Sequence, residues 1–329
     1  MAMQKVNQEM TALYQKTGEY EINYQEITGW LRIMIGDTVD YTPDAVTEEE
    51  RATLLNHLSE SYSGDSNNTD INQKNFNWIV YNIKDDSIEL IADSSTDDLI
   101  ALNDAVGFNN GVYLLNEYCN ILYNNKSKNA TARSINFEDI SDHLKTDEDG
   151  KKIYEKFDNG IPYGGEKTSE GFVPSKWIED KNENLSDSGA LKQYTDSAYA
   201  WDLAEIERTF KQTYTSAELD GEFLTVNTRN LKNDNFYQEI LEPKSFEDEY
   251  WLASRYTILD HRGVIFGIRE IRRNALKGLD IEGGEGLCAS EYRDRIGGME
   301  CVRPIVTIPI NSIDLDGDYE ANGNMWKLK

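Results

Sequence analysis

Cysteine and histidine are scarce in this chain, with three of each among 329 residues. Three thiols cannot all pair with one another, and their spacing matches neither a redox dithiol nor a zinc site. Cys119 falls in an apolar helical run, which predicts a small buried side chain. Cys288 and Cys301 could meet across a hairpin, but a sequence does not show the geometry that a disulfide requires. Cysteine usage therefore leaves the cellular compartment open.

Catalytic motifs are also lacking. The chain contains no H-E-x-x-H, G-x-S-x-G or P-loop pattern. Its histidines, His57, His143 and His261, lie in three unrelated sequence contexts. Carboxylates are so numerous that no chosen pair is informative about acid–base chemistry. We therefore predict that the protein is not an enzyme.

Basic residues are few compared with acidic ones. The chain has 33 Lys and Arg against 60 Asp and Glu, which gives a formal net charge of -27. Because affinity for nucleic-acid phosphates depends on Lys and Arg, this balance argues against general nucleic-acid binding. Residues 251–305 differ, with nine Lys or Arg and eight Asp or Glu. An acidic or sugar-coated partner would be least repelled there, although a buried segment would also carry fewer acids.

Long hydrophobic runs are absent as well. No stretch approaches the roughly 18 apolar residues of a membrane span, so we predict none. Within residues 1–28, Val6, Met10 and Leu13 fall on one face of a short helix. That helix either packs on the core or is the remainder of a stalk or anchor trimmed from the natural protein. Residues 29–329 are expected to form one domain.

Local signals predict both helices and strands. Thr47 and Glu50 form a capping-box pattern at a helix start, and Asn136 precedes a capped helical turn. No repeat of 20 to 50 residues is apparent, so we predict an α+β fold. The other predicted elements are a strand over 30–42 broken at Gly36, a hairpin over 77–83 and 87–92, a helix over 111–123, and an irregular region over 146–193 pinned by aromatic residues.

Three C-terminal segments have the aromatic and β-branched content of buried strands, namely residues 250–255, 264–269 and 302–308. The residues between them mix charged and aromatic side chains without a helical or strand period, which predicts an irregular middle. A rigid frame that displays a variable surface would have this pattern.

The same segments resemble the C-terminal module of bacterial and phage C-type-lectin-like proteins. The matching sequences are Tyr-Trp-Leu-Ala-Ser-Arg at 250–255, Phe-Gly-Ile-Arg at 266–269 and Val-Arg-Pro-Ile-Val at 302–306. That group includes the variable proteins of diversity-generating retroelements and relatives of the formylglycine-generating enzyme fold. Residues 107–115 and 131–134 are also similar to the amino-terminal part of large proteins of gut clostridia that carry this module.

The resemblance implies a fold and a set of site residues. The fold would be C-type-lectin-like, with short twisted antiparallel strands, peripheral helices, long irregular loops and a ligand-binding module at about 200–329. The implied scaffold residues are Trp251, Arg255, Gly267, Arg303 and Pro304. The implied exposed, ligand-binding residues are Tyr256, Thr257, Asp260, His261, Arg262, Glu270, Arg272, Arg273, Tyr292, Arg293 and Asp294. Tyrosine and arginine dominate recognition surfaces, although single arginines also pair with nearby carboxylates.

An acidic run near the C-terminus is the most metal-like cluster. Asp314, Asp316, Asp318 and Glu320 alternate around Gly317, and such oxygen ligands could surround a calcium ion. The run departs from an EF-hand loop in its glycine position and lacks the bidentate glutamate, so an acidic turn between two strands is the alternative. No other cofactor is expected.

Three functions remain open at this point. The first is a non-enzymatic receptor-binding or adhesin-like protein that binds a protein or glycan on another cell or surface. It would be extracellular, displayed on a cell surface or carried on a virion. The second is a pilin-like structural subunit whose N-terminal helix is the remnant of an assembly helix. The third is an enzyme of the formylglycine-generating type, whose active site needs reactive cysteines that Cys288 and Cys301 do not match in motif.

Overall fold

The computed structural model describes residues 33–150, 155–158, 222–225, 231–232, 234–260, 263–274, 278–280, 286–289, 297–315 and 322–329, some strands by their backbone alone. The fold is α+β, as the sequence predicts. The helices are α1 (Glu48–His57), α2 (Glu60–Ser63), α3 (Asp104–Tyr123), α4 (Phe137–Ser141) and α5 (Asp234–Leu241). The predicted N-terminal helix within 1–28 and most of the predicted irregular region lie outside the described residues.

Thirteen strands are described, in three sheets. They are β1 (Thr38–Val39), β2 (Trp78–Ile83), β3 (Ser87–Ala92), β4 (Ile100–Asn103), β5 (Thr131–Ser134), β6 (Glu155–Asp158), β7 (Glu222–Thr225), β8 (Tyr250–Asp260), β9 (Gly263–Asn274), β10 (Gly278–Asp280), β11 (Gly286–Ala289), β12 (Gly297–Val302) and β13 (Pro304–Pro309). The predicted β2–β3 hairpin is confirmed.

Two helix starts are set by their own side chains, as predicted. The amide of Glu50 donates to the Thr47 hydroxyl at 3.2 Å, and the amide of Thr47 donates to the Glu50 carboxylate at 3.0 Å. Asn136 and Asp139 make the same reciprocal pair at the start of α4. Each pair satisfies backbone N–H groups that a helix end leaves without an intrahelical partner.

The first sheet has the strand order β1-β2-β3-β13-β5, and all its neighbouring strands are antiparallel. The second has the order β10-β9-β8-β12-β4, with β11 also paired to β9. In this sheet β8 and β12 run parallel, while the other pairs are antiparallel. β6 and β7 form a separate two-stranded sheet.

The chain passes from the second sheet to the first at Arg303, between the end of β12 and the start of β13. The buried Arg303 side chain donates from Nε and Nη2 to the Ala92 carbonyl, at 3.1 and 2.9 Å. The Arg303 carbonyl accepts from the Ile135 amide at 3.0 Å. Because β13 lies between β3 and β5, and β12 pairs with β4, the C-terminal strands complete both sheets together with strands from residues 78–134.

Helix α3 lies in the main core. Its buried residues Leu115, Cys119 and Leu122 confirm the predicted apolar stripe, and the helix begins earlier than the predicted Gly111. They pack in one cluster with side chains from both sheets, such as Val306 and Trp251. In the described part of the chain, no helix combines the length and the apolar character that crossing a membrane would need.

An ion network around the buried Glu89 ties the first sheet to α4. Glu89 accepts hydrogen bonds from Lys84 at 2.7 Å, Arg133 at 3.1 Å and Asn82 at 2.9 Å. Arg133 also binds both carboxylate oxygens of Asp139, each at 2.6 Å. Such bidentate pairs fix geometry as well as adding energy, so β3, β5 and α4 are held together.

This network predicts a pH dependence of stability. Burial acts to raise the pKa of Glu89, but hydrogen bonds from Lys84 and Asn82 and the charge of Arg133 outweigh it, so the pKa lies below its ordinary 4.5. A depressed folded-state pKa stabilises the protein above 4.5, and this contribution is lost as pH falls through the folded value. We expect the stability difference between wild type and Glu89→Gln in urea unfolding to shrink below about pH 4.5. A difference that stays constant from pH 7 to pH 3 would contradict this assignment.

Candidate binding face

The β8–β9 hairpin contains all six of the predicted binding residues that lie in described strands. Its strands are 11 and 12 residues long, and their pairing runs from Arg255 with Ile268 to Asp260 with Gly263. The strand content predicted for residues 264–269 is confirmed, whereas the prediction of an irregular middle was wrong for residues 256–260, 263 and 270–274. These strands carry the aromatic and β-branched residues that strands favour, and the sequence interpretation gave too much weight to the charges among them.

Trp251 anchors the base of this hairpin. Its side chain is fully buried, and its indole Nε1 donates to the Ile100 carbonyl at 2.8 Å. Its ring lies over Gly298, where an added Cβ would be 2.6 Å from a ring carbon. Position 298 therefore has no room for a larger residue. Trp251 joins β8 to both β4 and β12.

A second contact holds the other strand of the base. Ile268 is fully buried and packs on α3 at Gly111, where an added Cβ would lie 2.9 Å from the Ile268 side chain. The close approach of helix and strand thus depends on glycine at position 111. Both strands of the hairpin base are packed against the core, one through Trp251 and one through Ile268.

The structure also locates the other four predicted scaffold residues. Gly267 is buried and pairs with Tyr256 in β8 and with Gly286 in β11. Pro304 begins β13 opposite Ser134. Arg303 lies at the crossing between the sheets, with its guanidinium carbon 5.4 Å from the centre of the Tyr250 ring. Arg255 pairs with Ile268 through its backbone.

Glu270 is a correction to the predicted face. We expected it to be exposed, but its side chain is fully buried. It pairs directly with Trp251, and residues directly opposite in an antiparallel pair lie on the same face of the sheet. Because Trp251 is buried, Glu270 points into the protein with it and cannot contact a second molecule bound at the surface.

The remaining predicted face residues have two kinds of location. Tyr256, Thr257 and Asp260 lie in β8, and Arg272 and Arg273 lie in β9, where β10 pairs with them. The structure describes these five through their backbones. The predicted face residues outside the described part of the chain are His261, Arg262, Tyr292, Arg293 and Asp294.

Buried polar groups surround the Arg303 crossing. The Tyr250 hydroxyl donates to the Leu241 carbonyl at 2.8 Å, which attaches α5 to β8. Burial raises the pKa of Tyr250, and the Arg303 guanidinium acts in the opposite direction. A small surface depression adjoins Arg303, and its described lining mixes carboxylates such as Asp93 and Glu242 with Lys244. This depression is distinct from the hairpin.

Two cysteines are free thiols in the core. Cys301 is buried, and its thiol donates to the Glu247 carbonyl at 3.2 Å. Since Cys301 is free, the structure contains no disulfide between it and Cys288. Burial raises the pKa of Cys301 to about 11 and the pKa of Cys119 well above its ordinary value. The burial of Cys119 confirms the prediction of a small buried side chain at this position.

We expect the thiols of Cys119 and Cys301 to be alkylated slowly in the native protein. Because the thiolate is the reactive species, a buried cysteine with a raised pKa reacts slowly. We expect iodoacetamide at pH 8 to leave Cys119 and Cys301 unmodified in the native protein and to label both after unfolding in guanidinium chloride, as read by peptide mass spectrometry. Labelling of native Cys301 as fast as in the unfolded chain would show that the described burial is incorrect.

The acidic C-terminal run is described only at its start. The Asp314 amide donates to the Lys327 carbonyl at 2.8 Å, beside the bridge between Ile313 and Leu328. Asp316, Asp318 and Glu320 lie outside the described residues. Within the described ranges, no group of three or more His, Cys, Asp or Glu side chains is placed to hold a metal ion.

Comparison with protein families, curated proteins and solved structures gives no match to this chain. A functional assignment therefore depends on the geometry of the hairpin and its base.

Several residues that shape the hairpin base were missed in the sequence. Gly298 had an available signal, because glycine within a strand often marks a close approach of another group. Ser254 and Phe137 had none, since their contact joins residues 117 positions apart. Local patterns identify strands and caps, but they do not identify such distant partners.

Proposed function

We propose that this protein is a non-enzymatic binding protein that displays a variable surface on a C-type-lectin-like scaffold. The supporting observation is the division of the β8–β9 hairpin. Its base, including Trp251, Ile268 and Glu270, is fully buried. The predicted face residues Tyr256, Thr257 and Asp260 lie in β8 beyond that base. A fixed base with a Tyr- and Arg-rich remainder suits recognition by a displayed surface.

Charge supports the same proposal. The chain carries a net charge of -27, while residues 251–305 contain nine basic and eight acidic residues. A protein or glycan with acidic groups, presented on another cell or surface, would approach this segment with the least repulsion. Such a partner also implies an extracellular, cell-surface or virion location.

The environment of Cys301 favours a binding function over an enzyme of the formylglycine-generating type. That chemistry requires reactive cysteines, whereas Cys301 is buried with a raised pKa. The frame residue next to it, Val302, has both its amide and its carbonyl bonded to Thr96. The surroundings of Cys301 are those of a packed core.

A binding experiment with charge-matched variants tests the proposal. The labelled protein is applied to a glycan array and to intact bacterial cells. The face variant carries Arg262→Ala, Arg272→Ala and Arg273→Ala. The control variant carries Lys126→Ala, Lys232→Ala and Lys327→Ala, which removes three positive charges from exposed positions outside β8 and β9.

We expect saturable binding that the face variant weakens at least tenfold, because arginines at a recognition surface are frequent hot spots. The control variant should bind within about twofold of wild type, because exposed charges away from the contact add little. Equal weakening by both variants, no weakening by the face variant, or no saturable binding to any glycan or cell would contradict the proposed function.

A further inference from the structure

Strand β8 carries a bulge where the buried base meets the rest of the hairpin. The pairs that flank it are Trp251 with Glu270 and Arg255 with Ile268. Leu252, Ala253 and Ser254 therefore stand opposite Arg269 alone. Strand β8 thus has two extra residues at the bulge. Because two is an even number, side chains keep the same faces of the sheet on both sides of the bulge, whereas a one-residue slip would reverse them. A bulge bends its strand and increases the local twist, so this one affects the direction of the hairpin.

The start of α4 contacts both strands at this bulge. The Ala253 amide donates to the Ile135 carbonyl at 2.8 Å, and the Ser254 hydroxyl accepts from the Phe137 amide at 2.9 Å. From the opposite strand, the guanidinium carbon of the fully buried Arg269 lies 4.4 Å from the centre of the Phe137 ring. A cation over an aromatic ring at this distance is attractive, and more so when it is desolvated.

Helix α4 is itself firmly attached to the first sheet. Asp139 caps the helix start through the Asn136 amide and binds Arg133 through both carboxylate oxygens. Arg133 in turn binds the buried Glu89 of β3. The bulge is therefore tied to the first sheet through α4, while Ile268 is held by α3 at Gly111.

We infer that Ser254 and Phe137 are positioning residues, which fix the direction in which the β8–β9 hairpin extends from its base. The inference rests on the proposed function only in naming the hairpin as the part that meets a partner. Neither residue belongs to the predicted binding face. Their contribution to binding would be to hold residues 255–268 in one orientation, which reduces the ordering cost of association.

Hydrogen–deuterium exchange with mass spectrometry tests this role in the full chain. Ser254→Ala removes the acceptor of the Phe137 amide, and Ser254→Thr keeps a hydroxyl at that position. Phe137→Leu keeps the hydrogen bond from the backbone amide of residue 137 to Ser254 but removes the ring beneath Arg269. The measured peptides cover residues 255–268, with residues 78–92 of the first sheet as the internal reference.

We expect exchange in residues 255–268 to become about fivefold faster in Ser254→Ala and in Phe137→Leu, the effect of losing one typical interaction. Exchange in residues 78–92 should stay unchanged, and Ser254→Thr should behave like wild type. Unchanged exchange at 255–268 in both variants would overturn the inference. Equal acceleration in 78–92 would also overturn it, because that would be a general loss of stability.

The exchange measurement uses no ligand, so it separates this inference from the proposed function. Faster exchange of residues 255–268 combined with unweakened binding of the triple-arginine face variant would refute the proposed function and leave the positioning role standing. Unchanged exchange combined with weakened binding of the face variant would do the reverse.

Discussion

Replacing Trp251 with alanine is expected to lower the free energy of unfolding by about 3–5 kcal/mol. The substitution leaves a large cavity at the hairpin base and removes the donor to the Ile100 carbonyl. Most proteins have only about 5–15 kcal/mol of stability, so this loss would take up much of the total. Urea unfolding followed by tryptophan fluorescence and far-ultraviolet circular dichroism measures it.

Met299→Ala is the matched control for this prediction. Met299 lies on the neighbouring strand β12, but 46% of its surface is exposed. We expect it to change stability by no more than about 0.5 kcal/mol, as is usual for surface substitutions. A similar loss in Met299→Ala and Trp251→Ala would mean that Trp251 does not anchor the hairpin as its contacts indicate.

Substituting Arg303 with methionine is expected to lower the free energy of unfolding by about 3 kcal/mol. A buried polar group then loses charged hydrogen-bond donors, which are worth about 1.5–3 kcal/mol each. Its Nε and Nη2 atoms both bind the Ala92 carbonyl at the end of β3. The substitution keeps a long side chain and removes these donors. Urea unfolding measures the loss directly.

Arg303→Lys tests whether the shape of the guanidinium matters in addition to its charge. Lysine has one nitrogen and cannot reproduce the forked donation of arginine, so we expect it to recover only part of the lost stability. Full recovery by lysine would show that a positive charge alone is sufficient at the crossing. Wild-type stability in the methionine variant would show that the crossing does not depend on this side chain.

The parts of the fold that could be predicted from sequence are those with local causes. Thr47 and Glu50 are three residues apart, and each satisfies a backbone group of the other, so a short pattern identifies the helix start. The β2–β3 hairpin is similar, because its strands are joined by a short polar turn. Such signals require no knowledge of the rest of the chain.

The parts that could not be predicted depend on distant partners. Ile305 pairs with Ile91 and Arg133, and Met299 pairs with Ala101, across long separations in sequence. A strand-like composition at 302–308 indicates a strand, but it does not indicate which strands flank it. The pattern therefore predicted a C-terminal frame without showing that its strands complete two sheets.

The candidate face was predicted only in part, because the burial of some of its residues also depends on distant partners. Trp251 is large and apolar, so its burial at the base agrees with its composition. Glu270 was assigned to the exposed face by the resemblance, and charged residues are in general rarely buried. Its burial follows from its register opposite Trp251 on the neighbouring strand, which no local feature of Glu270 indicates.

A substitution scan of stability tests the central claim, that a fixed frame carries a surface free to vary. Each predicted face residue is replaced by several amino acids, as are the frame residues Trp251, Gly298 and Arg303 and the buried Glu270, and the melting temperature of each variant is measured. The face positions scanned are Tyr256, Thr257, Asp260, His261, Arg262, Arg272, Arg273, Tyr292, Arg293 and Asp294.

We predict that substitutions at these face positions shift the melting temperature by no more than about 2 °C, as surface changes of about 0.5 kcal/mol would. Substitutions at Trp251, Gly298, Arg303 and Glu270 should lower it by about 5 °C or more, since they remove buried contacts or introduce clashes. Face positions as sensitive as the frame positions would contradict the claim, because such residues would be part of the core and not a surface free to vary.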